Sequence, residues 1–435
     1  MQQGSKRGQG TLSRRQFLSA ATATTAGLVM VPPAIAARKK RITMLSWNHF
    51  VPASDKELFR QAEEFSEIYG AKVQVDTISH LQIPAKQAAE VNAQRGHDIM
   101  IMGGAFPWLY EKQLLPVDDL VDELGSKLGG WYPFCEQSFR VKGTWRTVPW
   151  FWVSFPGTVN QALFAQHDLA WPDTWADVLA AGTVLKKAGH PVGVAISHCG
   201  DANTTFWSIN WCFGGKVIDE EGQVAIRSIQ TEEALEYYRE LYDKAMTDEV
   251  LAWDDAGNNR FLLSGRGSWI HNPISPYNAA LVKGMDIAKD INHHPTPAGP
   301  AGRHNAPPIV SLGIWKFARN PDGAREFLRY LFEPENFNKW VVASMAFNHG
   351  PVREFETHPI WAKDEKLKIL PLEGEYGHPR GWPYHPNPEV ARIDEVYVLP
   401  DMVAKAIRGK NVKAALQWGE DQIRRIMKDA RERTA

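Results

Sequence analysis

From residue 41 onward the apolar positions keep two alternating rhythms. Residues 41–46 (RITMLS) form a short, largely apolar run, and Leu58, Ala62, Phe65 and Tyr69 then recur every three or four positions until Gly70. The first pattern suits a strand; the second is one face of a helix, closed by a glycine that tolerates the left-handed backbone. Ser54 and Glu57 stand at capping-box spacing near its start. A strand over 71–78, a helix near 81–95 and a strand over 98–102 come next. Strands alternating with helices imply right-handed crossovers and a parallel sheet, whose ligands bind outside the carboxyl ends of the strands. Those ends carry Trp47, Asn48 and His49, and then Gly104 and Phe106.

The alternation resumes past residue 170. Thr174 is placed to cap a helix, 191–197 reads as a strand, 231–246 as a helix, 267–271 and 309–317 as strands. Asn320-Pro321 opens a helix that turns Ala324, Phe327, Leu328 and Leu331 inward, and a last helix runs over about 412–431. Between the two halves lies 148–160, VPWFWVSFPGTVN, without a charge. Pro156 and Gly157 can redirect the chain there. Trp150 and Trp152 stand two apart, so an extended backbone would project both from one side. They read either as core or as rings facing a ligand.

Composition narrows the picture. Ser13-Arg14-Arg15-Gln16-Phe17-Leu18, a mildly apolar stretch over 18–31 and Ala34-Ile35-Ala36 have the order of a twin-arginine export signal cleaved after Ala36. Residues 1–36 are therefore set aside from the fold, a periplasmic location is expected, and the lack of a cysteine near the cleavage point argues against a lipid anchor. Their removal takes Lys+Arg from 49 to 45 against 50 Asp+Glu, a net charge of about −5, which disfavours nucleic acid as a partner. The remaining 400 or so residues exceed one hydrophobic core and suit two lobes. Cys135, Cys199 and Cys212 are an odd number; a Cys199–Cys212 bridge is left open.

Seventeen tryptophans point to an aromatic pocket, since an indole offers a flat apolar face and one donor, matching a sugar or polyol. In the second half the candidates are Asp201, Trp207 and Trp211, in and just after the stretch 199–207, which reads as a loop. Arg353, Arg380 and Trp382 are added because an arginine can hold a carboxylate or phosphate bidentately. Each has a plainer alternative: His49 as a satisfied imidazole, Asp201 as a cap of the turn that follows it, the arginines as solvated side chains. His293, His294, His378 and His385 lack zinc spacing and read as loop residues, and Asp254-Asp255 as a solvated loop. No nucleophile elbow, P-loop, zinc-protease or dinucleotide motif is present, so neither an enzyme nor a cofactor is expected.

Several stretches occur in one order: Asp98-Ile99, Leu114-Leu115-Pro116-Val117-Asp118, Val148-Pro149, Trp171-Pro172-Asp173-Thr174-Trp175, residues 260–267 (RFLLSGRG), residues 320–328 (NPDGAREFL), Pro351-Val352-Arg353 and Gly409-Lys410. In this the chain resembles the extracellular solute-binding proteins of ABC importers, the family of maltose-binding and glycerol-phosphate-binding proteins. The resemblance implies an α/β, two-lobed periplasmic-binding-protein fold with a central cleft and three inter-lobe crossings, near 152–158, 306–312 and 346–353. Lobe one would comprise 37–153 with 310–348, and lobe two 154–309 with 349–435. It also implies ligand contacts at Asn272 and Tyr277, a membrane permease as partner and a monomeric, non-enzymatic role. Val159 departs from it, an aromatic residue being usual there. A secreted carbohydrate-active enzyme, or a sensory module for a cationic or phosphorylated small molecule, are the alternatives.

Overall fold

The computed structural model describes residues 41–434; the expected export signal lies outside them. Two sheets carry the architecture. The first contains β1 (Arg41–Trp47), β2 (Lys72–Ile78), β3 (Ile99–Gly103), β4 (Thr147–Trp152) and β9 (Ile309–Ile314), in the order β2-β1-β3-β9-β4. The second contains β5 (Gly157–Asn160), β6 (Val192–Gly193), β7 (Trp269–His271) and β8 (Ile291–His294), in the order β8-β5-β7-β6. Each sheet is wrapped by helices, which makes a lobe. Residues 99–102 are buried without alternation because a strand covered on both faces has no wet side.

In the first sheet the expected parallel pairing holds only for the first three strands; in the second, β6 and β7 are parallel and the other pairs antiparallel. β1 runs parallel to β2 and β3, whereas β9 is antiparallel to both β3 and β4, because it enters the sheet from the other lobe. Helix α1 (Pro52–Tyr69) also starts earlier than the capping-box spacing suggests. Pro52 opens it with a preset φ, Val51 provides no side-chain cap, and the Ser54 hydroxyl is buried inside the first turn. Its end at Gly70, with φ of 66°, is as expected. Helix α2 (Ile83–Ala93) follows β2 on the same lobe.

In the second lobe, α3 (Trp175–Lys187) has a full capping box between Thr174 and Asp177. The supposed loop over 199–207 is instead part of a helix, α4 (Gly200–Cys212), every residue of which from Ala202 onward is buried. Its polar face of Asn203, Thr204, Thr205 and Ser208 reads as loop composition but lies against other polar core groups. Cys199 precedes this helix and Cys212 ends it. At 1.5 Å per residue they stand about 20 Å apart, far beyond the roughly 7 Å a disulfide spans; both are free. His293 and His294, expected in a loop, are buried strand residues of β8. Helices α5 (Ile229–Ala245), α6 (Pro321–Leu331), α7 (Pro334–Ala343), α8 (Pro388–Glu395), α9 (Val398–Gly409) and α10 (Val412–Thr434) complete the frame, with α9 and α10 packed on α5. α6 buries Ala324, Phe327, Leu328 and Leu331, and Asn320 caps it. Among the described residues no helix is long and apolar enough to cross a membrane.

The chain passes between the lobes three times, and the crossings lie side by side. Val153 N donates to Pro308 O (3.0 Å), tying the first to the second. Trp152 and His349 exchange backbone bonds of 3.1 and 2.8 Å, tying the first to the third. Trp152 and Trp150 are core residues here, not rings turned to a cleft. A bulge opposite Val310 and Ser311 inserts Trp150 as an extra residue, which breaks the period of two on which the same-side expectation rested. Trp150 stacks on Trp340 at 4.6 Å; Trp152 is fully buried against Tyr132, Phe134 and His349 and donates its indole N–H to Gly350 O at 3.0 Å.

Candidate functional site

Where β3 ends, Gly103 turns into Gly104, whose φ of +51° favours glycine; a Cβ there would meet no atom within 4 Å, so conformation rather than crowding sets the choice. Gly104 N donates to Ile309 O at 3.0 Å. The short helix Phe106–Leu109 begins just beyond and packs against α8 of the second lobe. These pieces enclose a cavity of about 190 Å³ lined by residues 103–106, the second crossing at 307–310, and Arg380, Ala391 and Asp394. Both lobes and a crossing thus contribute walls. Of the sequence candidates, Gly104, Phe106 and Arg380 meet here.

Arg380 is held in place rather than free. Its Nη1 donates to Asp394 Oδ2 at 2.7 Å and its Nη2 to Thr204 Oγ1 at 2.8 Å, while Trp207 Nε1 donates to Asp394 Oδ1 at 3.0 Å. One carboxylate therefore fixes both a guanidinium and an indole, and the guanidinium's charge is matched. The pair faces the cavity with unused N–H groups and a carboxylate edge, a mixed donor and acceptor set that suits hydroxyls better than a bare anion.

Beside this cavity a second polar chain runs from lobe to lobe. His80, just past β2, sits edge-on to Trp47 at 5.7 Å and pairs through Nε2 with Asp255 Oδ2 at 2.5 Å. Asp255 Oδ1 accepts from Asp201 N at 2.8 Å, and Asp201 Oδ2 accepts from Asn258 Nδ2 at 2.6 Å. Asn258 in turn bonds Asn272. Burial pushes both carboxyls up. At Asp201 the charge of Asp255 adds to burial and raises it well above the usual range; at Asp255 the bond from His80 and backbone N–H groups outweigh burial and hold it below that range. The expectation of a solvated Asp254-Asp255 loop is half right: Asp254 is exposed and pairs with Arg260, but Asp255 is buried. Asp201 does not cap α4, which has no side-chain cap.

The remaining candidates lie apart from the cavity. Trp47 is buried among His49, Phe50, His80 and Phe151, and Asn48 is exposed. His49 is a satisfied core imidazole: Nδ1 accepts from Val51 N at 2.9 Å, Nε2 meets Asn348 Oδ1 at 3.2 Å, and burial lowers it to about 4. Trp211 packs between Trp207, His378 and Trp382, and Trp382 stacks on His378 at 4.1 Å. Asn272 is buried among Asn258, Asn259 and Ser275; Tyr277 bonds Asp364. Arg353 is exposed, over the Tyr132 ring at 5.4 Å. Asp394 and His80 went unread in the sequence, and Asp255 was read as a solvated loop carboxylate although it is buried. His80 alone had a signal, since it follows β2 as Asn48 and His49 follow β1.

Two α/β lobes joined by three adjacent crossings, with a cavity between them, define a two-lobed binding protein. The chain belongs to the bacterial extracellular solute-binding proteins, whose family model matches residues 52–336. Among solved structures it is similar to the maltose-bound MalE3 of T. maritima (TM-score 0.77, 19% identity, 88% of this chain and 99% of that one). A solute-binding protein of Thermotoga lettingae bound with α-D-tagatose gives a TM-score of 0.79 at 18% identity, covering 89% and 99%. One from Agrobacterium radiobacter in complex with ribitol gives 0.77 at 18%, covering 89% and 98%. At such identities the likeness is one of fold. No curated protein sequence matches the chain.

Proposed function

We propose that this chain is the solute-capturing component of an ABC importer, carried to the periplasm by its twin-arginine signal, which closes two lobes on a compact, neutral sugar or polyol and hands it to a membrane permease. Lobe one comprises 37–153 with 310–348 and lobe two 154–309 with 349–435. The observation that supports this most is the interlobe cavity, whose walls come from both lobes and from the second crossing. A ligand touching both halves binds the closed form more tightly and so shifts the opening equilibrium. The volume of about 190 Å³ is below the roughly 300–1,000 Å³ of drug-sized pockets, which favours a single sugar or a linear polyol. The three structural neighbours named above carry maltose, tagatose and ribitol, which agrees with that chemistry.

The test is a thermal-shift and calorimetric panel of ribitol, D-tagatose, maltose and ribitol 5-phosphate on the protein purified without ligand. A native-state ligand raises the melting temperature by mass action. The expected order is ribitol or tagatose first, maltose weaker and the phosphate weakest. No response to any neutral sugar or polyol, with binding of the phosphate alone, rejects the reading.

A further inference from the structure

The contact between His80 and Asp255 is made by the protein itself across the cleft. His80 follows β2 of the first sheet. Asp255 precedes the helix Gly257–Leu263, which packs on β7 of the second. Each partner is anchored in its own lobe. On the first, the imidazole is gripped by Trp47 at 5.7 Å and Phe50 at 5.6 Å between ring centroids. On the second, Asp255 lies at the start of α4: Asp201 N donates to its Oδ1 at 2.8 Å, where the unpaired N–H groups and the helix dipole favour a negative charge. Asn258 and Asn272 brace Asp201 from behind. The carboxylate is thus pinned from below by its own lobe and offers its remaining oxygen to the other.

We propose that His80 and Asp255 form a latch that stabilises the closed arrangement of the lobes through protein contacts alone and thereby sets how much closure the ligand has to supply. This rests on the reading that the chain works by lobe closure. Separating the lobes leaves the carboxylate on α4 and removes its imidazole partner, so the contact exists in one state only, as a differential interaction must. The His80 side chain is 31% exposed, so solvent screening moderates the bond. A shift of roughly tenfold in the closed-to-open ratio is the expected scale for a charge-assisted hydrogen bond so discounted. Apparent affinity follows the closed fraction, so it moves in the same sense.

The test needs no ligand, so its failure is separable from failure of the sugar reading. Spin labels are placed at Lys86→Cys on α2 and Arg266→Cys in the second lobe, both exposed, while the three native cysteines are buried. Pulsed dipolar distances are then measured on the ligand-free full chain. In the otherwise native protein a short-distance population is expected. His80→Ala should reduce its ratio to the long-distance population about tenfold, and His80→Gln, which keeps a donor, should restore part of it. Asp255→Asn combined with His80→Ala should open the protein no further than His80→Ala alone, because both remove one contact. Distance distributions unchanged by His80→Ala, or additive effects of the two substitutions, overturn the latch. His80→Ala removes a partly exposed side chain, so its melting temperature should stay near that of the native protein, which keeps the test readable if Asp255→Asn folds poorly.

Discussion

Helix α4 serves two polar networks that differ in what completes them. Along its length Thr205 Oγ1 meets His271 Nδ1 at 3.0 Å, His271 Nε2 meets Thr296 Oγ1 at 3.0 Å, and alongside them Trp269 donates to His294 Nε2 at 2.8 Å. All of these residues belong to the second lobe or the crossing that leaves it, and all are buried. At the start of the same helix Asp201, Asp255 and Asn258 make an equally dense set of bonds, yet their last partner, His80, comes from the other lobe. A network closed within one lobe adds to that lobe's stability and is indifferent to opening. A network closed between lobes changes with opening. The Arg380–Asp394 pair stands between these cases, satisfied within the second lobe yet lining the shared cavity.

The largest expected break in this comparison comes from acid. His49, His293 and His294 are lowered to about 4, and His271 and His349 to about 3, all by burial. Between the ordinary imidazole value of 6.5 and those folded values the unfolded chain binds more protons than the native one, so stability falls as pH falls through this window. Each histidine accounts for about 3 to 5 kcal/mol when its window has been crossed, and together they should unfold the protein before pH 4 in a denaturant series at stepped pH. A stability flat from pH 7 to 4 would show the sealed network to be open to water.

A smaller break is His271→Ala, which leaves Thr205 and Thr296 unpaired around a void. A loss of about 3 kcal/mol in urea unfolding is expected, with the interlobe distance distribution unchanged; a change in that distribution would erase the distinction between the networks. Comparable in size but opposite in sign with pH is Glu373, buried under the second crossing, where it accepts from Thr296 N at 2.8 Å and from Asn305. Burial raises it from 4.5 to about 7, so the native state holds the proton longer than the unfolded one and stability declines as pH rises across that interval, by about 3 kcal/mol at most. This interval overlaps the histidine window, where the two slopes oppose, so Glu373→Gln should steepen the net loss of stability on acidification between pH 7 and 4.5. The smallest stability change belongs to His80→Ala, under about 1 kcal/mol for a partly exposed pair, although its effect on lobe separation is the largest of the set.

Local patterns reached far into the fold. The 3.6-residue period of α6, the Thr174–Asp177 box and Gly70 are settled within a few residues of chain, and the same is true of the strands that end at Trp47 and Gly103. Gly104 and Phe106 were legible because the end of a parallel strand is a place the topology keeps open. Elsewhere the local signals misled. The polar face of α4 reads as a loop until its partners, His271, Asn305 and Asp394, are brought in from 66 to 191 residues away. The tryptophan pair of β4 reads as core or as cleft lining alike until the bulge opposite β9 changes its register and both rings are seen buried.

What the amino-acid sequence by itself determined is therefore most of the elements and their order, α4 and β8 excepted, because propensity, capping and hydrophobic period act over a single turn or strand. Tertiary structure alone decided which polar groups face the cleft. Asp255 looks like a solvated carboxylate beside Asp254 in the chain, and Asp394 like any acid on an amphipathic helix; burial and partners, supplied by segments remote in sequence, turn the first toward His80 of the opposite lobe and the second toward Arg380. Burial and pairing energies belong to the assembled neighbourhood, and no single stretch of chain contains them.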